Sequence, residues 1–95
     1  MPSAEASAVL HGTRLVVQGP LLRTEVAALW HGLPSPGSRV TQIDLAAVPR
    51  LDSAGLALVS LLLERFPHAS LLGAPHGLDD LRAAYRLDER LAFAA

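Results

Sequence analysis

Val48-Pro49-Arg50-Leu51-Asp52-Ser53-Ala54-Gly55-Leu56-Ala57-Leu58-Val59 is the stretch on which the reading of this chain turns. The apolar spacing after Asp52 predicts a helix over about Ser53–Arg65 with Pro67 just past its end. Ser53 stands where that helix begins, so its hydroxyl can accept a bond from a first-turn N–H. Asp52 before it can accept hydrogen bonds from the loop or meet a partner. Gly55 is less ordinary. Glycine in a helix costs about 1 kcal/mol relative to alanine, so its presence in the first turn asks for a packing or functional reason. Leu56, Val59, Ser60 and Leu63 form one stripe, while Leu58, Leu61 and Leu62 lie on other faces. A helix covering one side of a sheet needs a single apolar face. The extra leucines are therefore either covered by neighbouring helices or left as a patch that docks a partner.

Working outward, Val40–Leu45 before this stretch reads as a strand, and Ala46–Asp52 as its connection to the helix. Further toward the N-terminus, Ala8–His11 and Arg14–Gln18 are β-prone runs separated by a tight turn, which predicts a hairpin. After Gly19-Pro20, the apolar residues Val26, Leu29, Trp30 and Leu33 fall at helical spacing. Thr24 is the expected N-cap of that helix, with Glu25 in its first turn and Gly32 and Pro34 as its stop. Pro34–Ser38 is a loop by composition. Beyond Pro67, Ala69–Gly73 is expected as a fourth strand. A last helix is expected at Leu78–Tyr85, with Leu78, Leu81 and Tyr85 on one face and Asp79-Asp80 favouring its N-terminus. The tail Leu87–Ala95 is expected to add one helical turn. Residues 1–7 read as a flexible tail and 8–95 as one domain. The order β-β-α-β-α-β-α calls for an α/β fold. Its four-stranded mixed sheet opens with an antiparallel hairpin, continues through right-handed parallel crossovers, and has helices packed on it.

Composition narrows the functional classes. At 95 residues, folding buries roughly 60–65% of the surface the unfolded chain exposes, which is enough for one modest core. With 51% apolar residues, such a small domain is expected to leave apolar surface outside that core. The formal charge is −1 with the basic residues scattered, so there is no basic stripe for nucleic acid and no cationic run for an anionic membrane. Cysteine is absent, which excludes disulfides, thiolate nucleophiles and cysteine-based zinc sites, and fits a reducing compartment. Met1-Pro2-Ser3-Ala4-Glu5 lacks the features of a signal peptide, and the apolar-rich run Ala54–Leu63 is too short to span a bilayer. A cytoplasmic protein is expected.

The Asp-Ser-Ala-Gly-Leu segment after Ile43-Asp44-Leu45 resembles the signature of STAS domains, the fold of anti-sigma-factor antagonists. Within that family the likeness runs toward the small STAS subunits, of the MlaB type, found in Mla phospholipid-transport ABC systems. Asp52-Ser53-Ala54-Gly55-Leu56-Ala57-Leu58 resembles their Asp-Thr-Gly-Gly-Leu-Ala-Leu, and Gly19-x-Leu21 followed by Leu29-Trp30 is a second match. The likeness covers about Leu15 to Tyr85. It implies a STAS fold and a non-catalytic subunit held at the inner membrane through its complex. That subunit would bind an MlaF-like ATPase while the complex moves phospholipids and maintains outer-membrane lipid asymmetry. The implied partner-contacting residues are Asp52, Ser53, Ala54, Gly55, Leu58 and Trp30. Two departures from the pattern stand out: Ser53 keeps the hydroxyl of the family threonine but loses a methyl group, and Ala54 adds bulk where the family has glycine. Ser53 also occupies the position that antagonist-type STAS domains phosphorylate. The alternative is therefore a regulator switched by phospho-Ser53, since a phosphate is stabilised at a helix N-terminus and its charge repels or attracts a partner.

Other chemistries find little support. The histidines His11, His31, His68 and His76 lie in turns or at element ends, with no i, i+4 pair and no carboxylates at ligand spacing, so neither a metal nor a cofactor is expected. Gly73-Ala74-Pro75-His76-Gly77 has glycines but no lysine, unlike a phosphate-binding loop. A nucleophile elbow at Ser53 needs a glycine at position 51, where Leu51 stands. Trp30 is expected to pack much of its ring into the core and to offer an edge to a partner. The spare apolar surface also admits a weak homodimer.

Overall fold

The computed structural model describes residues 6–35, 37–88 and 91. Its elements follow the order β1 (Ser7–His11), β2 (Arg14–Gln18), α1 (Arg23–His31), β3 (Gln42–Ala47), α2 (Ser53–Arg65), β4 (Ser70–Leu72) and α3 (Leu78–Ala84). The strands form a sheet in the order β1-β2-β3-β4, with β1 antiparallel to β2 and the other neighbours parallel. This is the mixed α/β arrangement that the alternation of strand-like and helix-like runs predicts. The two-residue turn Gly12-Thr13 closes the hairpin with Gly12 at φ +64°, a left-handed value that glycine adopts without steric cost.

Alternation along the strands separates the two faces of the sheet. Leu15 and Val17 of β2 and Ile43 and Leu45 of β3 are fully buried. Leu10, Leu15, Ile43 and Leu71 stand side by side across the four strands and point into the core. The opposite face carries Val9, Val16, Asp44 and Leu72 in register, and none of these is buried. Arg14 and Asp44 form an ion pair of 3.8 Å on that face, a partly exposed contact worth about 1 kcal/mol or less.

On the inner face, α2 is the central helix, packed against α1 on one side and α3 on the other. Leu56, Leu58, Val59, Leu62 and Leu63 are all buried. Each contributes roughly 1.5–3 kcal/mol relative to an exposed position, so α2 anchors the core. The over-apolar composition of this helix is thus largely explained by neighbours on both flanks. Leu61, however, stays 44% exposed.

Several boundaries differ from those read in the sequence. β1 begins at Ser7, one residue inside the segment read as tail; residues 1–5 lie outside the described residues. β3 is shifted toward its C-terminus, because Val40 turns inward as a core residue before the ladder starts and Ala46 and Ala47 continue it. β4 is shorter than expected, and α3 ends at Ala84 with Tyr85 as its C-cap. Leu78 is buried, Leu81 half-buried and Tyr85 exposed, so that face runs from core to surface. The helical turn expected in the tail falls mostly outside the described residues. Leu91, which is described, takes a left-handed φ of 60° and buries its side chain against the core. Among the described residues, no helix is long and apolar enough to cross a membrane.

Candidate partner-docking surface

The start of α2 is built around one carboxylate. Asp52, not Ser53, is its N-cap: Asp52 Oδ1 accepts the Gly55 backbone N–H at 3.0 Å. Oδ2 of the same carboxylate accepts the Arg23 backbone N–H at 2.9 Å. Arg23 is the first residue of α1, so a single side chain satisfies N-terminal donors of two helices that lie 29 positions apart in sequence. Thr24 does not cap α1, because the cap position is Leu22 and the Thr24 hydroxyl donates to Glu25 Oε2 instead. A short Ser or Thr was the expected cap in both helices; in both, the aspartate between them does the work. Burial pushes the Asp52 carboxyl up, but the backbone N–H groups of Gly55, Arg23 and Ala54 outweigh it and hold the carboxyl below its ordinary value of 3.8.

Gly55 answers the question its position raised. It is buried, and a Cβ there would overlap the Leu21 carbonyl oxygen and lie 2.9 Å from Leu21 Cβ and 3.0 Å from Leu21 C. Leu21 bridges in parallel to Leu51; its N–H donates to Arg50 O at 3.1 Å and its carbonyl accepts the Asp52 N–H at 3.2 Å. The glycine lets this extended segment lie directly against the first turn of α2. Its role in the structure is internal packing, and it offers nothing to an outside partner in this conformation.

The remaining site residues divide between the floor and the rim of a shallow surface. Between α1 and α2 runs an apolar groove of about 360 Å³, lined by Val26, Ala27, Trp30, Ala54, Ala57 and Leu61 over a floor of Leu58. Leu58 is only 1% exposed, so it supports the groove from below as a core residue. Trp30 is 38% exposed, so most of its surface is covered while part of it faces the groove and solvent. The Arg65 guanidinium lies over it, 4.8 Å from the ring centroid, and donates to Pro34 O at 3.1 Å. Ser53 is exposed on the other flank, where a second groove between α2 and α3 is lined by Leu56, Ala57, Ser60, Tyr85 and Leu87.

The outward ridge of α2 is therefore Ser53, Ala57 and Leu61, spaced one turn apart. Of the three leucines that lie off the main apolar stripe, Leu58 and Leu62 are buried and Leu61 is the one left exposed; Ala57 carries no signal in the sequence that marks it as a surface residue of this site. Of the residues expected at the site, Ser53 begins this ridge, while Ala54 and Trp30 line the groove on its α1 side. Gly55 and Leu58, also expected there, face inward. All four histidines are exposed, and among the described residues no cluster of three or more acidic or histidine side chains could hold a metal. No family model matches the chain, and no curated protein matches it.

Proposed function

We propose that this chain is a non-catalytic STAS-type accessory subunit of the MlaB kind. In this reading it binds the ATPase of an Mla-type ABC transporter that moves phospholipids and maintains outer-membrane lipid asymmetry. The observation that carries the proposal is the outward face of α2. Ala57 and Leu61 are exposed, Ala54 is half-buried, and Trp30 flanks them across an open apolar groove. Small and apolar residues left uncovered on a well-anchored helix make a platform on which a partner can press closely. That platform begins at the segment whose residues resemble the family signature. The mixed four-stranded sheet, with its N-terminal hairpin, agrees with the architecture the resemblance implies.

The test is co-expression with an Mla-type ATPase. The wild-type chain should co-purify with it, and Ala57→Arg or Leu61→Glu should abolish the complex while leaving the circular dichroism spectrum and melting temperature of the domain unchanged. Unchanged binding by both folded variants overturns the assignment of this surface. A substitution at Gly55 is unsuitable for this purpose, because it would strike the Leu21 backbone and destabilise the domain itself.

A second reading rests on Ser53. Asp52 supplies the cap, so the exposed Ser53 hydroxyl is not required for it. A phosphate placed there would sit at a helix N-terminus beside the Asp52 carboxylate, changing the charge of the docking face in one step. This is the partner-switching regulator. Phosphopeptide mapping that finds Ser53 unmodified under every growth condition removes it.

A further inference from the structure

The sheet has two edges, and they are treated differently. At one edge, β4 is only three residues long, which limits what can pair with it. At the other, β1 is a five-residue strand, Ser7-Ala8-Val9-Leu10-His11, with no proline, lysine, acidic residue or glycine. Nothing among the described residues pairs with its outer side. Unprotected edges of this kind are templates for another strand.

The hydrogen-bond parity of the ladder shows which groups are free. The Thr13 carbonyl and the Gly19 N–H both bond toward β3, to Gln42 N and Ala47 O. Alternation then turns Leu15 and Val17 toward β3 as well, and Arg14, Val16 and Gln18 toward β1. Their partners across the hairpin are His11, Val9 and Ser7. Ala8 and Leu10 consequently direct both their N–H and their C=O groups away from the sheet.

We propose that this edge is a self-association surface that takes a second copy of the chain in antiparallel register about a twofold axis through Val9. In that register Ala8 pairs with Leu10 of the partner subunit and Leu10 with Ala8 of the partner subunit. Each pair exchanges two N–H···O=C bonds, giving four across the axis, and Val9 meets its own counterpart. The side chains agree with this pairing. Ala8 and Leu10 lie half-buried on the helix side of the sheet, so each pair brings a small residue against a large one. Val9, 50% exposed on the open face, gains an apolar neighbour across the axis. Moving the axis by one residue in either direction leaves strand residues unpaired. The two four-stranded sheets would join into one continuous sheet. The Ser53-Ala57-Leu61 ridge takes no part in it, so this surface and the docking surface are tested independently.

Sedimentation equilibrium from micromolar to millimolar concentration should show a monomer–dimer equilibrium. Amide hydrogen exchange across the same range should show protection of the Ala8 and Leu10 N–H groups rising with concentration, while those of Val9 and His11 stay protected throughout. Val9→Lys places like charges opposite each other at the axis and should weaken association by about tenfold or more. Ala8→Pro removes an outward-facing donor that β2 does not use, and should do the same with the hairpin intact. A chain that stays monomeric at millimolar concentration overturns the proposal. So does a dimer in which the Ala8 and Leu10 amides remain unprotected, or one that Val9→Lys leaves unchanged.

Discussion

Replacing Gly55 by alanine should destabilise the domain, against the ordinary direction of such a change. In an unhindered helical position the substitution would stabilise by about 1 kcal/mol. Here the new methyl group would overlap the Leu21 carbonyl oxygen and crowd Leu21 C and Cβ at 3.0 and 2.9 Å. All three atoms are backbone or Cβ, so no rotamer change and no truncation of Leu21 to alanine makes room. Leu21 is fully buried and tied on both sides, by its N–H to Arg50 O and by its carbonyl to the Asp52 N–H. Relief requires α2 to move off this segment. That loosens the Asp52–Leu21 bond, leaving a buried acceptor unsatisfied at about 1–3 kcal/mol, and strains the packing by about another 1–3 kcal/mol. After subtracting the helix-propensity gain, the net loss is about 3 kcal/mol. For a domain whose total stability is expected at about 5–15 kcal/mol, this is a large fraction. For a chain of this length it corresponds to a fall in melting temperature on the order of 15 °C. Urea unfolding followed by far-UV circular dichroism measures it directly. An alanine variant as stable as the wild type, or more stable, would refute the packing role assigned to Gly55.

Two further predictions follow from the same region. Asp52→Ala should cost about 2 kcal/mol, since it removes acceptors from the N-terminal donors of both α1 and α2, and Asp52→Asn should cost less. Because the folded-state carboxyl lies below its ordinary value of 3.8, its contribution is present above that pH and is lost as pH falls through the folded value. Urea midpoints for wild type and Asp52→Asn should therefore converge on acidification below about pH 4; midpoints that keep their separation there would contradict the proposed coupling. Leu58→Ala should cost about 2–5 kcal/mol as a core deletion, whereas Leu61→Ala on the exposed ridge should cost under about 1 kcal/mol. Equal costs in thermal unfolding would show that the floor and rim of the groove are wrongly assigned.

What the sequence made legible was whatever depends on neighbours close in the chain. The hairpin, α2 and the alternation of Leu15, Val17, Ile43 and Leu45 all come from local spacing, and they define the fold class. Contacts between distant segments were not legible. Gly55 was visibly odd, but its reason is the backbone of Leu21, brought alongside by the bridge to Leu51. Asp52 is legible as an acceptor for the loop beside it, but its second partner, the Arg23 N–H, belongs to α1, the helix for which local spacing points to Thr24 as the cap. Leu58 and Leu61 look alike in the sequence; only the placement of α1 and α3 beside α2 buries one and leaves the other on the ridge.

The chain has a single tryptophan, and it stands in the groove beside the proposed docking ridge, under the Arg65 guanidinium. With one tyrosine and two phenylalanines elsewhere, almost all the near-ultraviolet emission of this protein originates at that spot. The domain thus carries its own optical probe. A protein surface laid across α1 and α2 would strip water from the exposed part of the indole and move the emission maximum toward the blue, without a dye or an engineered label. Association along β1, which involves none of the groove residues, would leave the spectrum where it was.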